Sequence, residues 1–265
     1  MAESAEQNPN YVPALRKGFA LLELLAAQGP LSLAQVERAS GLNRTMSYRL
    51  LRVMGELGYI EHDEERHTYG LGMRVLQLGS MMAERLNFER IAWPFLASLR
   101  EELQETIVLG VLSGKDVVSL GVLEGERKSG PSQRLGSADP VHATSLGKAI
   151  LAFHSPDECT LKIASLSSLP RKTPKTIVDP GALASDLRRT RVRGYALEDE
   201  ENAIGERSVA VPVLGEGGRP LAGLALAGSV ERVDLSRAEE IAERLWQASQ
   251  AMSGRMDATP GRLAS

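Results

Sequence analysis

The chain has 265 residues, 43% of them hydrophobic and 25% charged, with a formal net charge of −3 and a pI of about 5.9. This balance excludes a disordered or fibrous protein, and one coated throughout in nucleic-acid-binding charge. One cysteine, Cys159, excludes an internal disulfide, four histidines leave little for a zinc cage, and no apolar run reaches the ~20 residues of a membrane span.

No metal or cofactor site is therefore expected, and a cytoplasmic setting without membrane contact fits best. The N-terminal "MAESAEQNPNYVP" is polar and acidic, unlike a signal peptide. The length is long for one core and comfortable for two domains. Charge is unevenly spread between them: from Tyr11 to Ile60 there are six Lys/Arg against three Asp/Glu.

In chain order, "PALRKGFALLELLAAQG" predicts a helix with Leu15, Phe19, Leu22 and Ala26 at helical spacing, stopped by Gly29-Pro30. A second helix opens on Ser32 with Gln35 three positions on, a capping-box pattern, and ends at Ser40-Gly41. A third takes Asn43 as N-cap and runs to Gly58. At helical periodicity Met46, Leu50, Val53, Met54 and Leu57 share a core face, and Arg44, Thr45, Tyr48, Arg49 and Arg52 share another. No acid lies on that second arc before Glu56, whereas a solvated face normally mixes both signs. Arginines without nearby acids, with Thr45, Ser47 and Tyr48 as phosphate-contacting hydroxyls, point to an anionic partner, double-stranded DNA, with the helix in its major groove.

"GYIEHDEERHTYGLG" predicts strands Tyr59 to Glu61 and Thr68 to Gly70 around a polar turn. "GPLSLAQVERASGLNRTMSYRLLRVMGELGYIE" resembles the winged helix-turn-helix of the IclR family of bacterial transcription regulators. "PVHATSLGKAILAF" resembles the loop and helix entering that family's effector-binding domain, and "DPGALASDLRRTRVRGYALEDEENAIGERSVAVPV" its final core. The three matches stand in the family's order and cover most of the chain. The wing turn departs from a DNA-gripping sequence: His62, Asp63, Glu64 and Glu65 leave only Arg66 and His67 to face phosphate. His62, Asp63 and His67 carry metal-ligating atoms, but a surface turn without supporting partners is expected to be solvated.

"MRVLQLGSMMAERLN" predicts a helix with Val75, Leu78, Met82 and Leu86 along one stripe. It packs either on its own domain or on a second subunit, and helix-turn-helix proteins commonly read paired half-sites as dimers. The remainder is mixed. A helix through Trp93-Pro94 leads to strands "TIVLGVLSG" and "DVVSLGVLEG" joined at Gly114-Lys115. Helices follow at Ser145 to Phe153 and Pro180 to Arg193, then strands "GYALED", "RSVAVPVL" and "LAGLALAGSV". The last two strands are joined through Glu216-Gly217-Gly218, and a closing helix begins at Ser236 with Glu239 as capping partner. The fold class is α+β: a mainly α winged helix-turn-helix over residues 11–72, a linking or dimerising helix over 73–86, and an α+β domain with a mostly antiparallel sheet over 87–256. The resemblance implies a GAF-like sensor fold for the last of these.

Catalytic signals do not assemble. Ser145-Leu146-Gly147-Lys148 fits S-x-x-K, but neither S-D-N nor K-T-G follows. A P-loop reading fails because His142 stands where its first glycine belongs and Ala149 follows the lysine. The carboxylate run Glu198 to Glu201 reads as a solvated loop.

The function expected is a one-component regulator whose DNA affinity is modulated by a small carboxylate metabolite, acting as a homodimer or tetramer. The alternative is a metabolite-binding enzyme whose N-terminal domain mediates assembly. A helix beginning near Thr144 offers unpaired amides to a carboxylate, so Ser145 and Leu146 are expected to hold the acid end of the effector. The resemblance carries the remaining pocket positions onto Glu198, Ser208, Ala225 and Ala227, where relatives often have aspartate, cysteine and two serines. The two alanines imply a largely hydrophobic effector body.

Overall fold

A computed structural model describes residues 11–86, 88–126 and 134–256. The chain divides into two compact units, Met1–Ala83 and Glu84–Ser265. The first holds α1 (Pro13–Gln28), β1 (Leu31–Ser32), α2 (Leu33–Ser40), α3 (Arg44–Glu56), β2 (Ile60–Asp63) and β3 (Thr68–Leu71). The boundary between the units falls inside α4 (Met73–Leu86).

Local chemistry sets the helix ends. The Ser32 hydroxyl accepts from the Gln35 N–H while the Gln35 side chain returns to the Ser32 N–H. These two bonds satisfy amides that no helical carbonyl reaches. Gly41 closes α2 at φ 69°, where a Cβ is disfavoured, and the Asn43 carboxamide accepts from the Met46 N–H at 2.9 Å to start α3. The hairpin is three-stranded, because β1 adds to β3 in the order β1-β3-β2.

Two core faces differ from expectation. In α1 the buried residues are Gly18, Leu21 and Leu25, while Leu15, Phe19 and Ala26 are exposed and Leu22 is half-buried. In α3 they are Ser47, Leu51 and Met54, while Val53 and Leu57 face out. The small core of this unit gathers Leu21, Leu25, Val36, Leu51 and Ile60 from four elements. Three helices of one short unit meet along narrow seams, which bury less of each helix than its apolar arc would allow.

The second unit contains α5 (Phe88–Leu103), β4 (Thr106–Ser113), β5 (Asp116–Leu123), β6 (Ala138–Pro140), α6 (Ser145–Phe153), α7 (Pro156–Ser165), α8 (Pro180–Arg193), β7 (Ala196–Asp199), β8 (Glu206–Leu214), β9 (Pro220–Ser229) and α9 (Ala238–Met256). Its six strands form one antiparallel sheet, β6-β5-β4-β9-β8-β7. Alternation along the strands sends Ile107, Leu109, Val209, Val211, Leu224 and Leu226 to a core shared with Leu96 of α5 and Leu245 of α9. Val108, Ala210 and Ala225, of opposite parity, meet Leu146, Ala149 and Ile150 of α6. Helices therefore cover both faces of the sheet.

On the α6 side the sheet residues are small, and the helix approaches closely. A Cβ on Gly223 would lie 3.0 Å from Leu146 Cδ2, and one on Gly147 only 2.2 Å from the Val141 carbonyl oxygen. Every residue from Ser145 to Ala152 is buried. The helix α7, absent from the sequence reading, has its own capping box between Ser155 and Glu158. The closing helix also begins differently: Asp234, not Ser236, supplies the cap by accepting from the Ser236 N–H at 2.9 Å, and a short 3-10 turn, Leu235–Arg237, precedes α9.

Candidate functional site

Two clusters of expected residues can be placed. On α3, Arg44, Thr45, Tyr48, Arg49 and Arg52 are all exposed along one side, while Ser47, Leu51 and Met54 of the same helix are buried. Ser47 corrects the reading: it is fully buried, its hydroxyl has no partner among the described residues, and it cannot reach a phosphate. Its position on the helix turns it toward Leu51 and away from Arg49.

Two of the arginines are not free of acids. Arg44 lies 3.5 Å from Glu37 of α2, and Arg52 lies 3.1 Å from Glu56 one turn on. Both arginines are largely solvent-exposed, so the pairs are weak and readily exchanged for a stronger anion. In the wing, Asp63 accepts from the N–H groups of Glu65 and Arg66, which folds the turn on itself. His62 stacks on Tyr69 with ring centroids 4.4 Å apart. Among the described residues no group of three or more His, Cys, Asp or Glu is placed to hold a metal ion.

The second cluster surrounds the start of α6. Thr144 is the N-cap and accepts from the Gly147 N–H at 3.1 Å. The Ser145 hydroxyl donates to Ser208 Oγ at 2.7 Å, and Ser208 donates to Glu198 Oε2 at 3.0 Å. Glu198 Oε1 in turn accepts the N–H groups of Glu201 and Asn202 at 2.7 and 3.2 Å. Burial pushes the Glu198 carboxyl up to about 7, against the lowering effect of those donors. Ser145, Leu146, Glu198, Ser208, Ala225 and Ala227 all line one cavity of about 20 Å³. That space holds roughly one water molecule, so a ligand enters only as the walls move apart.

Ala225 and Ala227 contribute apolar atoms to the lining, and several further lining residues were not anticipated from the sequence. Asp139, Glu206, Asn202 and Ser119 also face the cavity. Asp139 and Asn202 come from segments 63 residues apart and are joined by a bond from Asn202 Nδ2 to Asp139 Oδ1 at 3.2 Å. No short-range signal in the sequence links them.

Behind the cavity, Lys148 of α6 is 1% exposed, bonded to both Glu201 oxygens at 2.5 and 2.6 Å and 3.1 Å from Asp186 of α8. The lysine of the S-x-x-K fragment is thus a buried ion-pair partner that ties the loop after β7 to α6 and α8. The carboxylate run is likewise not a simple solvated loop: Glu198 and Glu201 are buried, and Asp199 and Glu200 pair with Lys175 at 3.0 and 2.7 Å. A larger cavity of about 480 Å³ opens elsewhere in this unit among Lys115, His154, Lys162 and Arg219. None of the expected residues lines it. Lys162 lies in the last turn of α7, where a cation offsets the helix dipole, and burial holds His154 at the end of α6 toward its neutral form, so convergent polar chemistry favours the smaller cavity.

Comparison with known proteins matches residues 14–64 to the IclR helix-turn-helix domain and residues 81–254 to the bacterial transcriptional regulator IclR C-terminal family. The chain is 31% identical over 243 residues to the HTH-type transcriptional regulator XynR of Escherichia coli, covering 91% of this chain and 96% of that one. It is 30% identical over 245 residues to the Escherichia coli transcriptional repressor IclR, covering 91% and 89%. The crystal structure of the Thermotoga maritima IclR superposes with a TM-score of 0.74 at 28% identity, covering 93% of this chain and all of that one. Among the described residues no helix is long and apolar enough to cross a membrane.

Proposed function

The chain belongs to the IclR family of bacterial transcriptional regulators, and on that premise we propose that Arg44, Thr45, Tyr48, Arg49 and Arg52 of α3 read double-stranded operator DNA while the cavity at the start of α6 binds a small organic acid. It is a DNA-binding regulator with an effector-binding domain, not an enzyme. The observation that carries the DNA reading is the exposed arginine face of α3, distinct from the strip that is buried. Arginine forks bond guanine edges or phosphate oxygens in the major groove, and the weak pairs with Glu37 and Glu56 yield to them.

For the effector, the first amides of α6 have no partner within the helix and lie at its positive end, which suits a carboxylate beside Ser145 and Leu146. Ala225 and Ala227 supply an apolar wall. Coupling between the two sites is reciprocal: an effector that weakens operator binding is itself bound less tightly when DNA is present. We further infer a homodimer, able to pair into a tetramer and working in the bacterial cytoplasm where operators lie. Met73, Leu76, Leu78, Met81 and Met82 of α4 are exposed, an apolar surface that a second copy would cover, with Val75 half-buried beside it. The side chain of Leu86, expected on the same stripe, lies outside the described residues.

A mobility shift on DNA flanking the coding region, with and without a panel of small organic acids, tests both halves. Arg49→Ala is expected to lose about 1–3 kcal/mol at constant salt with the fold unchanged. Parental affinity in that variant, or a shift that no acid alters, refutes the corresponding half.

A further inference from the structure

The larger cavity of the second unit, about 480 Å³, has the volume of a small-molecule site, which runs to roughly 300–1,000 Å³. It opens toward the other end of α6, over Ile150 and Leu151 of that helix and Leu221 of β9, and the full charges in its lining are of one sign. Lys115 comes from the turn between β4 and β5, Lys162 from α7 and Arg219 from the position before β9, while no Asp or Glu lines it. None of the three has an ion-pair partner among the described residues. Acids stand close in sequence, yet Asp116, Glu158 and Glu216 all stay out of the lining. Glu158, one turn before Lys162, places a carboxylate oxygen on the Ser155 N–H and hydroxyl instead, at 3.1 and 2.9 Å. Offsetting a helix dipole accounts for Lys162 alone, since the last turn of α7 carries about half a negative charge and Lys115 and Arg219 belong to no helix.

His154 adds an independent sign. It stands in the same wall, 6% exposed, and neither ring nitrogen has a hydrogen-bond partner among the described residues. Glu158 Oε2, 3.6 Å from Nδ1, is too far to serve. Burial first, and then the charges of Lys162 and Arg219, push the imidazole down from its ordinary range against the opposing pull of Glu158, so the ring feels both cations. Its neutral form keeps one N–H without an acceptor.

We propose that this cavity is a second ligand site, for a small organic dianion whose acid groups, a phosphate monoester or a pair of carboxylates, lie among Lys115, Lys162 and Arg219 and whose apolar body rests on Ile150, Leu151 and Leu221. A monoanion would leave two of the three cations unanswered. Arg219 offers a fork of N–H donors to phosphate or carboxylate oxygens, and the lysines add point charges. A bare inorganic ion would leave the apolar floor uncovered. The site does not rest on the effector reading: the two cavities share α6 and β9 but no lining residue, so either can fail alone.

Calorimetry on the full chain at pH 8 and constant salt tests it. Phenyl phosphate is measured beside methyl phenyl phosphate, and succinate beside monomethyl succinate, so that each dianion has a monoanion of nearly the same body as its control; inorganic phosphate supplies charge without a body. At least one dianion is expected to bind about tenfold or more tightly than both its monoanion and inorganic phosphate, the worth of about one charge-assisted contact. The arm in which this occurs fixes the head group. Lys115→Gln combined with Arg219→Gln, both at exposed positions, should remove about tenfold of that affinity. Should the double variant disturb the fold, Lys162→Gln alone is expected to weaken binding in the same direction. The imidazole NMR signals of His154, assigned with a His154→Gln variant, should move as the dianion binds. A monoanion or inorganic phosphate that matches the dianions, no dianion bound at all, affinity untouched by the charge variants, or a bound dianion that leaves the His154 signals unmoved overturns the proposal.

Discussion

Replacing Lys148 by Met removes the ammonium from a buried charge cluster of the C-terminal unit while keeping most of the length of the side chain. Lys148 Nζ lies 2.5 and 2.6 Å from the two Glu201 oxygens, 3.1 Å from Asp186 Oδ2 and 3.3 Å from the Leu197 carbonyl. The side chains of Glu201 and Asp186 are each only 12% exposed. Asp186 keeps Arg189, 3.1 Å away, so the loss falls chiefly on Glu201. At the Glu201 separation and an effective dielectric near 20, the Coulomb attraction is about 6–7 kcal/mol before desolvation is counted, and breaking one side of a buried pair costs about 3–5 kcal/mol. Urea unfolding followed by fluorescence of Trp93 and Trp246, both in this unit, is the assay. The expected deficit is about 3–5 kcal/mol. It should be larger at pH 8 than at pH 5, because Glu201, already pushed up by burial, escapes by taking a proton in acid. Lys148→Met combined with Glu201→Leu removes both charges and should recover most of the loss. A single variant costing under ~1 kcal/mol, or a double variant as unstable as the single, would show that the cluster is not held together by charge in this way.

Glu198→Gln should flatten the pH dependence of stability. A carboxyl raised from 4.5 to about 7 in the folded chain favours folding below the unfolded value and opposes it as pH rises through 7, by roughly 3 kcal/mol at about 1.4 kcal/mol per tenfold change in proton affinity. The variant should therefore be the more stable protein at pH 8, and equal pH profiles in thermal melts would contradict this. Ser47→Ala is expected to bind operator DNA as the parent does and to lose no stability, since the buried hydroxyl it removes has no partner among the described residues; a loss of DNA affinity at constant salt would return Ser47 to the interface. Gly147→Ala drives a Cβ to within 2.2 Å of the Val141 carbonyl, and a cost of about 3 kcal/mol or more is expected in the same urea assay. Tolerance of alanine there would mean that α6 does not pack so closely on the segment before it.

What the sequence alone determined here is what neighbouring residues decide among themselves. The bonds between Ser32 and Gln35, and from the Met46 amide to Asn43, close within three residues, so their side chains announce the helix starts whatever surrounds them. The positive-φ turn residue Gly114 and the apolar runs of β4, β5, β8 and β9 are equally local. Periodicity separated the arginines of α3 from an apolar face, but it could not say which part of that face meets α1 and α2. Ser47 went under and Val53 came out because the seam between three helices is narrower than the stripe on one of them. The acid pocket lay further from reach. Asp139 stands 63 residues before Asn202 and the nearby Glu206, with nothing local to link them, until the sheet order β6-β5-β4-β9-β8-β7 and the close packing of α6 bring them round one cavity. Lys148 and Glu201 are 53 residues apart and read as a motif fragment and a loop acid; only the folded chain takes both out of water, and that shared desolvation makes each necessary to the other.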